Sequence, residues 1–209
     1  AYEHVDPELV GNGTKFVASE MAGKATIRLR ADQAGIDLTD TQVAEATQRL
    51  KSLEHQGYHF EVADASFDLL LRSIAGWEQP FFAVESYRVF TEHRTSDVVV
   101  SEATIKVTAN GERLIATAEG NGPVNALDGA LRRAIGEIYP ELTKVHLTDY
   151  KVRVLNSGAA TAAVTRVLLD SSDERGTWTT MGVSENIIDA SWQALCDSIV
   201  TGLLRSRGG

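Results

Sequence analysis

The sequence predicts an α+β protein: a small helical linker module followed by a domain of two pseudo-symmetric β-β-β-α units. Three observations lead there. Apolar residues recur at helical spacing over residues 40–74, the period changes to two beyond Pro80, and an order of three strands and one long helix then occurs twice.

Val43, Thr47, Leu50 and Leu53 share one side of a helix over 40–54, with Thr39 or Asp40 placed to cap it and Gly57 to end it. A second helix, with Asp64 as the expected cap, carries Phe67, Leu70, Leu71 and Ile74 and stops near Gly76. Residues 1–79 therefore form the helical module and 80–209 the second domain.

Phe82-Ala83-Val84 and Tyr87-Arg88-Val89 give an imperfect strand signal, whereas Ala103, Ile105 and Val107 alternate cleanly with polar residues. Asn110-Gly111 suits a type I′ turn, and Leu114, Ala116 and Ala118 resume the alternation, so 98–109 and 112–119 are an antiparallel pair. Gly120-Asn121-Gly122-Pro123 breaks the strand, and Val124, Leu127, Leu131, Ala134, Ile135 and Ile138 form a helical face closed by Pro140.

From His146 the order repeats. Tyr150, Val152 and Val154 alternate, a Val164–Leu169 strand follows, Trp178 sits in a third strand, and Ile188, Trp192, Leu195, Ile199 and Leu203 line a long helix. Asn125-Ala126-Leu127-Asp128 resembles Asn186-Ile187-Ile188-Asp189, which sets the expected repeat at sixty-one positions.

Composition removes several classes. The chain has 209 residues, a net charge of -9 and scattered basic residues, which argues against a nucleic-acid footprint. No signal-peptide pattern opens it and no long uncharged apolar run crosses a membrane, so a soluble chain is expected. The one cysteine, Cys196, excludes an internal disulfide, fits a buried bystander thiol, and points to the cytoplasm. The abrupt opening Ala1-Tyr2-Glu3 suggests that a segment precedes it.

No catalytic set emerges. His55 and His59 are the one histidine pair at helical spacing, but Gly57 separates them, and Asp37, Asp40 and Glu45 are explained by capping and solvation. Nucleophile elbow, phosphate loop and dinucleotide signatures are absent. Gly120 and Gly122 can turn tightly and present backbone N–H groups to a carboxylate, although a purely structural strand-to-helix turn fits equally well. Tyr150 adds an aromatic wall, with Leu147 and Val154 as apolar neighbours.

The segment Glu119-Gly120-Asn121-Gly122-Pro123-Val124-Asn125-Ala126-Leu127 resembles the allosteric domain of the 2-isopropylmalate synthase and citramalate synthase family. The likeness extends through Tyr2–Asn12, Phe67–Leu71 and Gly182–Ser191, and is nearer the citramalate-synthase-like branch. It implies a homodimer, the linker that follows a catalytic TIM barrel absent from this chain, and feedback control by isoleucine or leucine. Gly120, Gly122, Val124, Asn125, Leu147, Tyr150, Val154 and Val164 are the implied effector-binding residues.

The same resemblance places a divalent metal and acetyl-CoA at the parent's barrel, where acetyl-CoA condenses with a 2-oxo acid. This chain alone is then expected to be inactive, with no catalytic residue, metal site or cofactor of its own. Leu29 stands where the family's linker carries an auxiliary polar residue. A leucine-regulated 2-isopropylmalate synthase fragment and an independent amino-acid sensor are the competing readings. Trp192 and Phe82 are expected at the two-fold interface.

Overall fold

A computed structural model describes residues 23–93, 99–155 and 163–208. Three helices open it: α1 (Lys24–Gln33), α2 (Asp40–Gln56) and α3 (Asp64–Ile74). Thr39 begins α2 with a capping box, its Oγ1 accepting from Gln42 N at 3.3 Å while Gln42 Oε1 accepts from Thr39 N at 2.9 Å. Gly57, at φ 109°, ends the helix in the left-handed region. The three helices close a small core around Ile27, Val43, Leu50, Phe60, Phe67 and Leu71.

Helix α1 has no counterpart among the sequence-derived elements. Its buried residues are Ile27 and Ala31, one turn apart, and so narrow an apolar stripe gives little periodic signal. Asp64 is not the cap of α3. Ala63 holds that position without a side-chain bond, and Asp64 Oδ1 instead accepts from Thr179 N at 3.1 Å.

Two antiparallel sheets follow, in order β1-β2-β3 and β4-β5-β6. The first comprises β1 (Phe82–His93), β2 (Val99–Ala109) and β3 (Glu112–Gly120), and leads into α4 (Pro123–Ile135). The second comprises β4 (His146–Val154), β5 (Thr165–Asp173) and β6 (Gly176–Ser184), and leads into α5 (Ile187–Ser206). Asn110 and Gly111 have φ of 50° and 79°, the two positive values a type I′ turn requires. Ile138 lies beyond the end of α4, before the short 3-10 turn that Pro140 opens.

The opening strand of each unit carries an irregularity, between Val84 and Ser86 in β1 and between Leu147 and Asp149 in β4. A bulge of this kind shifts the alternation by one residue, which explains the imperfect strand pattern over 82–89. In β4 it brings Leu147 onto the face shared by Tyr150, Val152 and Val154, opposite Ser171, Leu169, Val167 and Thr165.

The inner faces of both sheets meet α4 and α5 in one continuous core. Ile105, Val107, Val167, Leu169, Leu127, Leu131, Leu195 and Ile199 are all within it. Phe82 and Trp192 also belong there, only 7% and 6% exposed, so neither is available to a dimer interface as the sequence reading expected. Trp192 is spent inside the protomer, its ring 5.0 Å from that of Tyr87 on β1.

The repeat is sixty-four positions rather than sixty-one. Gly122 is the N-cap of α4 and Asn186 that of α5, and Pro123 and Ile187 are the first residues of the two helices. Asn125 and Asn186 are therefore not equivalent; the sequence match was displaced by three residues, close to one helical turn, which preserves the apolar pattern. In the correct register Ala118 and Gly129 match Gly182 and Gln193. Each pair is a close strand-to-helix contact with one glycine. A Cβ on Gly129 would lie 3.1 Å from that of Ala118, and one on Gly182 would lie 2.9 Å from that of Gln193 and 1.9 Å from Ala190 O.

The helical module and α5 together seal the β6 edge of the second sheet. Along β6, the N–H groups of Thr179, Met181 and Val183 donate to Asp64 Oδ1, Ser66 Oγ (2.9 Å) and Gln193 Oε1 (3.1 Å). Side chains thus take the place of a further strand, satisfying a row of donors that would otherwise be open to pairing.

Candidate functional site

The predicted residues fall into three places. The first is the start of α4. Gly120 ends β3 with no room for a side chain, since a Cβ there would stand 2.6 Å from both Ala126 N and Asn125 Oδ1. Gly122 caps the helix without a side-chain bond, and Pro123, lacking an N–H, occupies the first turn. Val124 and Asn125 complete that turn, with Asn125 Oδ1 accepting from Asn121 N at 3.3 Å.

The equivalent end of α5 is closed by its own chain. Asn186 Oδ1 accepts from Ile188 N at 2.8 Å and Asp189 N at 3.3 Å. Of the two helix starts, the one at Gly122 is thus the one without a side-chain cap.

The second place is the inner face of β4. Helix α5 lies over β5 and β6, and the edge strand keeps Tyr150, Val152 and Val154 at 39%, 42% and 57% exposure. Leu147, beyond the bulge, packs against the core. Tyr150 is tied to α5 by a 2.8 Å hydrogen bond between its hydroxyl and that of Ser191.

The third place holds Val164 alone. It precedes β5, its carbonyl accepts from Leu155 N at 2.7 Å, and it stands beside Gly57 at the end of α2. Val164 is one residue out of step with Thr165, which pairs with Val154, so it is turned away from the Tyr150 face toward the helical module.

Around α5 the structure adds residues that the sequence reading did not single out. Gln193 Oε1 accepts from the Tyr58 hydroxyl at 2.9 Å and from Val183 N, and its Nε2 donates to Asp189 Oδ2 at 3.0 Å. Asp189 Oδ1 accepts in turn from the Tyr87 hydroxyl at 3.1 Å. Burial and then the Asp189 charge push Tyr87 up to about 12, and burial followed by the Asp197 charge raises Tyr58, so both remain proton donors at neutral pH.

One turn further, Asp197 is enclosed between α5 and α3 with Ser66 donating to its Oδ2 at 2.6 Å. Burial pushes its carboxyl up to about 7 against the opposing effect of that bond. Its visible signal was an acid in an otherwise apolar stretch of helix. Cys196, partly exposed, has its thiol raised by burial and by Asp197, which leaves it a poor nucleophile.

No group of three His, Cys, Asp or Glu side chains is placed to hold a metal among the described residues, and none of their helices is long and apolar enough to cross a membrane. His59 Nε2 lies 3.5 Å from a Glu61 carboxylate oxygen. A cleft of about 260 Å³ separates α1 and α3 from β6 and α5, lined by Asp64, Asp68, Arg72, Trp178, Thr201 and Arg205; it contains none of the predicted effector residues.

The described residues thus form two β-β-β-α units on one core, preceded by three helices. Residues 61–203 match the family described as the LeuA allosteric (dimerisation) domain, to which the chain belongs, and residues 1–58 match the homocitrate synthase post-HMGL domain-like family. Within this family the likeness is to citramalate synthases. The chain is 52% identical over 208 residues to an (R)-citramalate synthase of Streptomyces coelicolor, covering 98% of this chain and 39% of the relative. It is 48% identical to those of Geobacter sulfurreducens (98% and 39% covered) and Synechocystis (97% and 38%). The chain therefore spans about two fifths of the length of the curated relatives it matches.

Proposed function

We propose that this chain is the feedback-sensing, dimer-forming region of an enzyme that condenses acetyl-CoA with a 2-oxo acid to form a citramalate-like product, and that it binds isoleucine. The condensation belongs to the parent's barrel, with its divalent metal, and this chain alone turns over no acetyl-CoA. Residues 1–79 act as the linker and 80–209 as the regulatory domain, in the cytoplasm.

The observation that carries the effector reading is the inequality of the two units. Tyr87 of β1 is covered by Trp192 and bonded to Asp189. Tyr150 holds the corresponding place in β4, but the residue matching Trp192 in α4 is Asp128, whose carboxylate is held by Arg132 Nε at 2.8 and 2.9 Å. Among the described residues no aromatic ring covers Tyr150, which stands exposed with Val152 and Val154. With the pocket placed between subunits of the dimer, a branched side chain would lie on that stripe while its carboxylate meets the N–H groups at Gly122, Val124 and Asn125. Gly120 and Leu147 shape the space. Val164 would act from behind the strand.

Calorimetric titration with isoleucine, leucine and valine tests this. Isoleucine should bind most tightly, by on the order of 1–3 kcal/mol over its isomer. Tyr150→Ala and Gly120→Ala should each weaken it. Absent or equal binding of the three amino acids would remove the effector and leave an assembly module.

A further inference from the structure

We infer that Gln193 is a positioning residue through which the state of the first turns of α5 is passed to the helical module. One side chain joins four parts of the molecule. Its amide oxygen holds Tyr58, at the end of α2, and Val183 of β6, while its amide nitrogen holds Asp189, which holds Tyr87 of β1. The chain of bonds from Tyr58 to Tyr87 has no gap, and each member is used at both ends or anchored by a ring. Tyr58 stacks on Phe60 with centroids 5.4 Å apart, and Tyr87 packs on Trp192.

The comparison of the two units argues that this is a specific device rather than routine satisfaction of polar groups. The residue matching Gln193 in α4 is Gly129, which has no side chain to extend, and the glycine that makes room for Gln193 is Gly182 on the facing strand. The relay is built on α5, the helix that packs against the linker, and has no counterpart on α4. Two residues before Gln193, Ser191 bonds to Tyr150 and to Ile187 O, so the same turns of α5 also meet the proposed effector face. A shift in that turn changes the acceptor geometry offered to Tyr58, and through it the seating of α2 and α3 on β6. The link to an effector rests on the isoleucine reading above; the mechanical coupling does not.

The two are tested separately on the whole chain. Without any ligand, a double-mutant cycle of Tyr58→Phe and Tyr87→Phe compares two hydroxyls that do not touch each other. Their effects on the unfolding equilibrium should depart from additivity by at least about threefold, and the departure should vanish when Gln193→Leu is added. Additive effects would overturn the inference, whatever isoleucine does. With isoleucine, hydrogen exchange should change over residues 57–74 in the wild type. In Gln193→Glu, which keeps the acceptor for Tyr58 and Val183 but repels Asp189, binding should persist by calorimetry while that change is lost. A linker response equal to the wild type in this variant would also overturn the relay, whereas absent isoleucine binding in the wild type would remove the effector reading alone.

Discussion

Asp197 shows at the scale of one residue how a buried acid makes stability depend on pH. Its carboxyl titrates at about 7 in the folded protein against an ordinary value of 3.8, so the folded state holds the proton more tightly than the unfolded chain. Its contribution is most favourable below pH 4 and declines as pH rises to about 7, the reverse of a salt-bridged carboxylate. Asp197→Asn should flatten that decline and raise stability at pH 8 by roughly 1–3 kcal/mol, read from thermal melts at a series of pH values. A slope unchanged by the substitution would mean that another group controls it. The candidate site was only partly legible at this scale. Glycines around a strand-to-helix break and a tyrosine on an alternating strand can be read from a sequence. Gln193 and Tyr58 cannot, because their roles come from partners 10 and 135 positions away that only folding brings close.

Among the elements, those with strong local signals were readable and those that depend on tertiary partners were not. The alternation of Ala103, Ile105 and Val107, the Asn110-Gly111 turn and the Thr39 cap each state their own conformation. Helix α1 does not, because it buries just Ile27 and Ala31, and β1 is obscured by its bulge. Asp64 sits where a helix cap is expected, yet the open edge of β6 competes for its carboxylate and wins. This division predicts two different consequences. Thr39→Ala should cost about 1 kcal/mol in a denaturant titration, the usual worth of a cap. Gly182→Ala should cost far more, since its Cβ would press on Ala190 O and drive α5 off β6. Equal losses for the two variants would mean that α5 can slide freely over the strand.

For the whole molecule, the exposed apolar residues are the guide to assembly. Tyr150, Val152, Val154 and Ile187 stand in the second unit and Phe90, Ile115 and Val99 on the first sheet, whereas Trp192 and Phe82 are already consumed by the core. A homodimer should therefore survive Phe82→Leu and be weakened by Val154→Asp, as measured by sedimentation equilibrium at micromolar concentration. A monomer in the unmodified chain would exclude the pairing. The two units that build this molecule share one plan, but the glycine at their strand-to-helix contact stands on the helix in one and on the strand in the other. They are not interchangeable parts. Transplanting α4 into the second unit would bring Gly129 against Gly182 and open a void, and transplanting α5 into the first would force Gln193 into Ala118. Each half is fitted to its own facing strand, so a change in either helix is answerable to the strand it packs on and not to its twin.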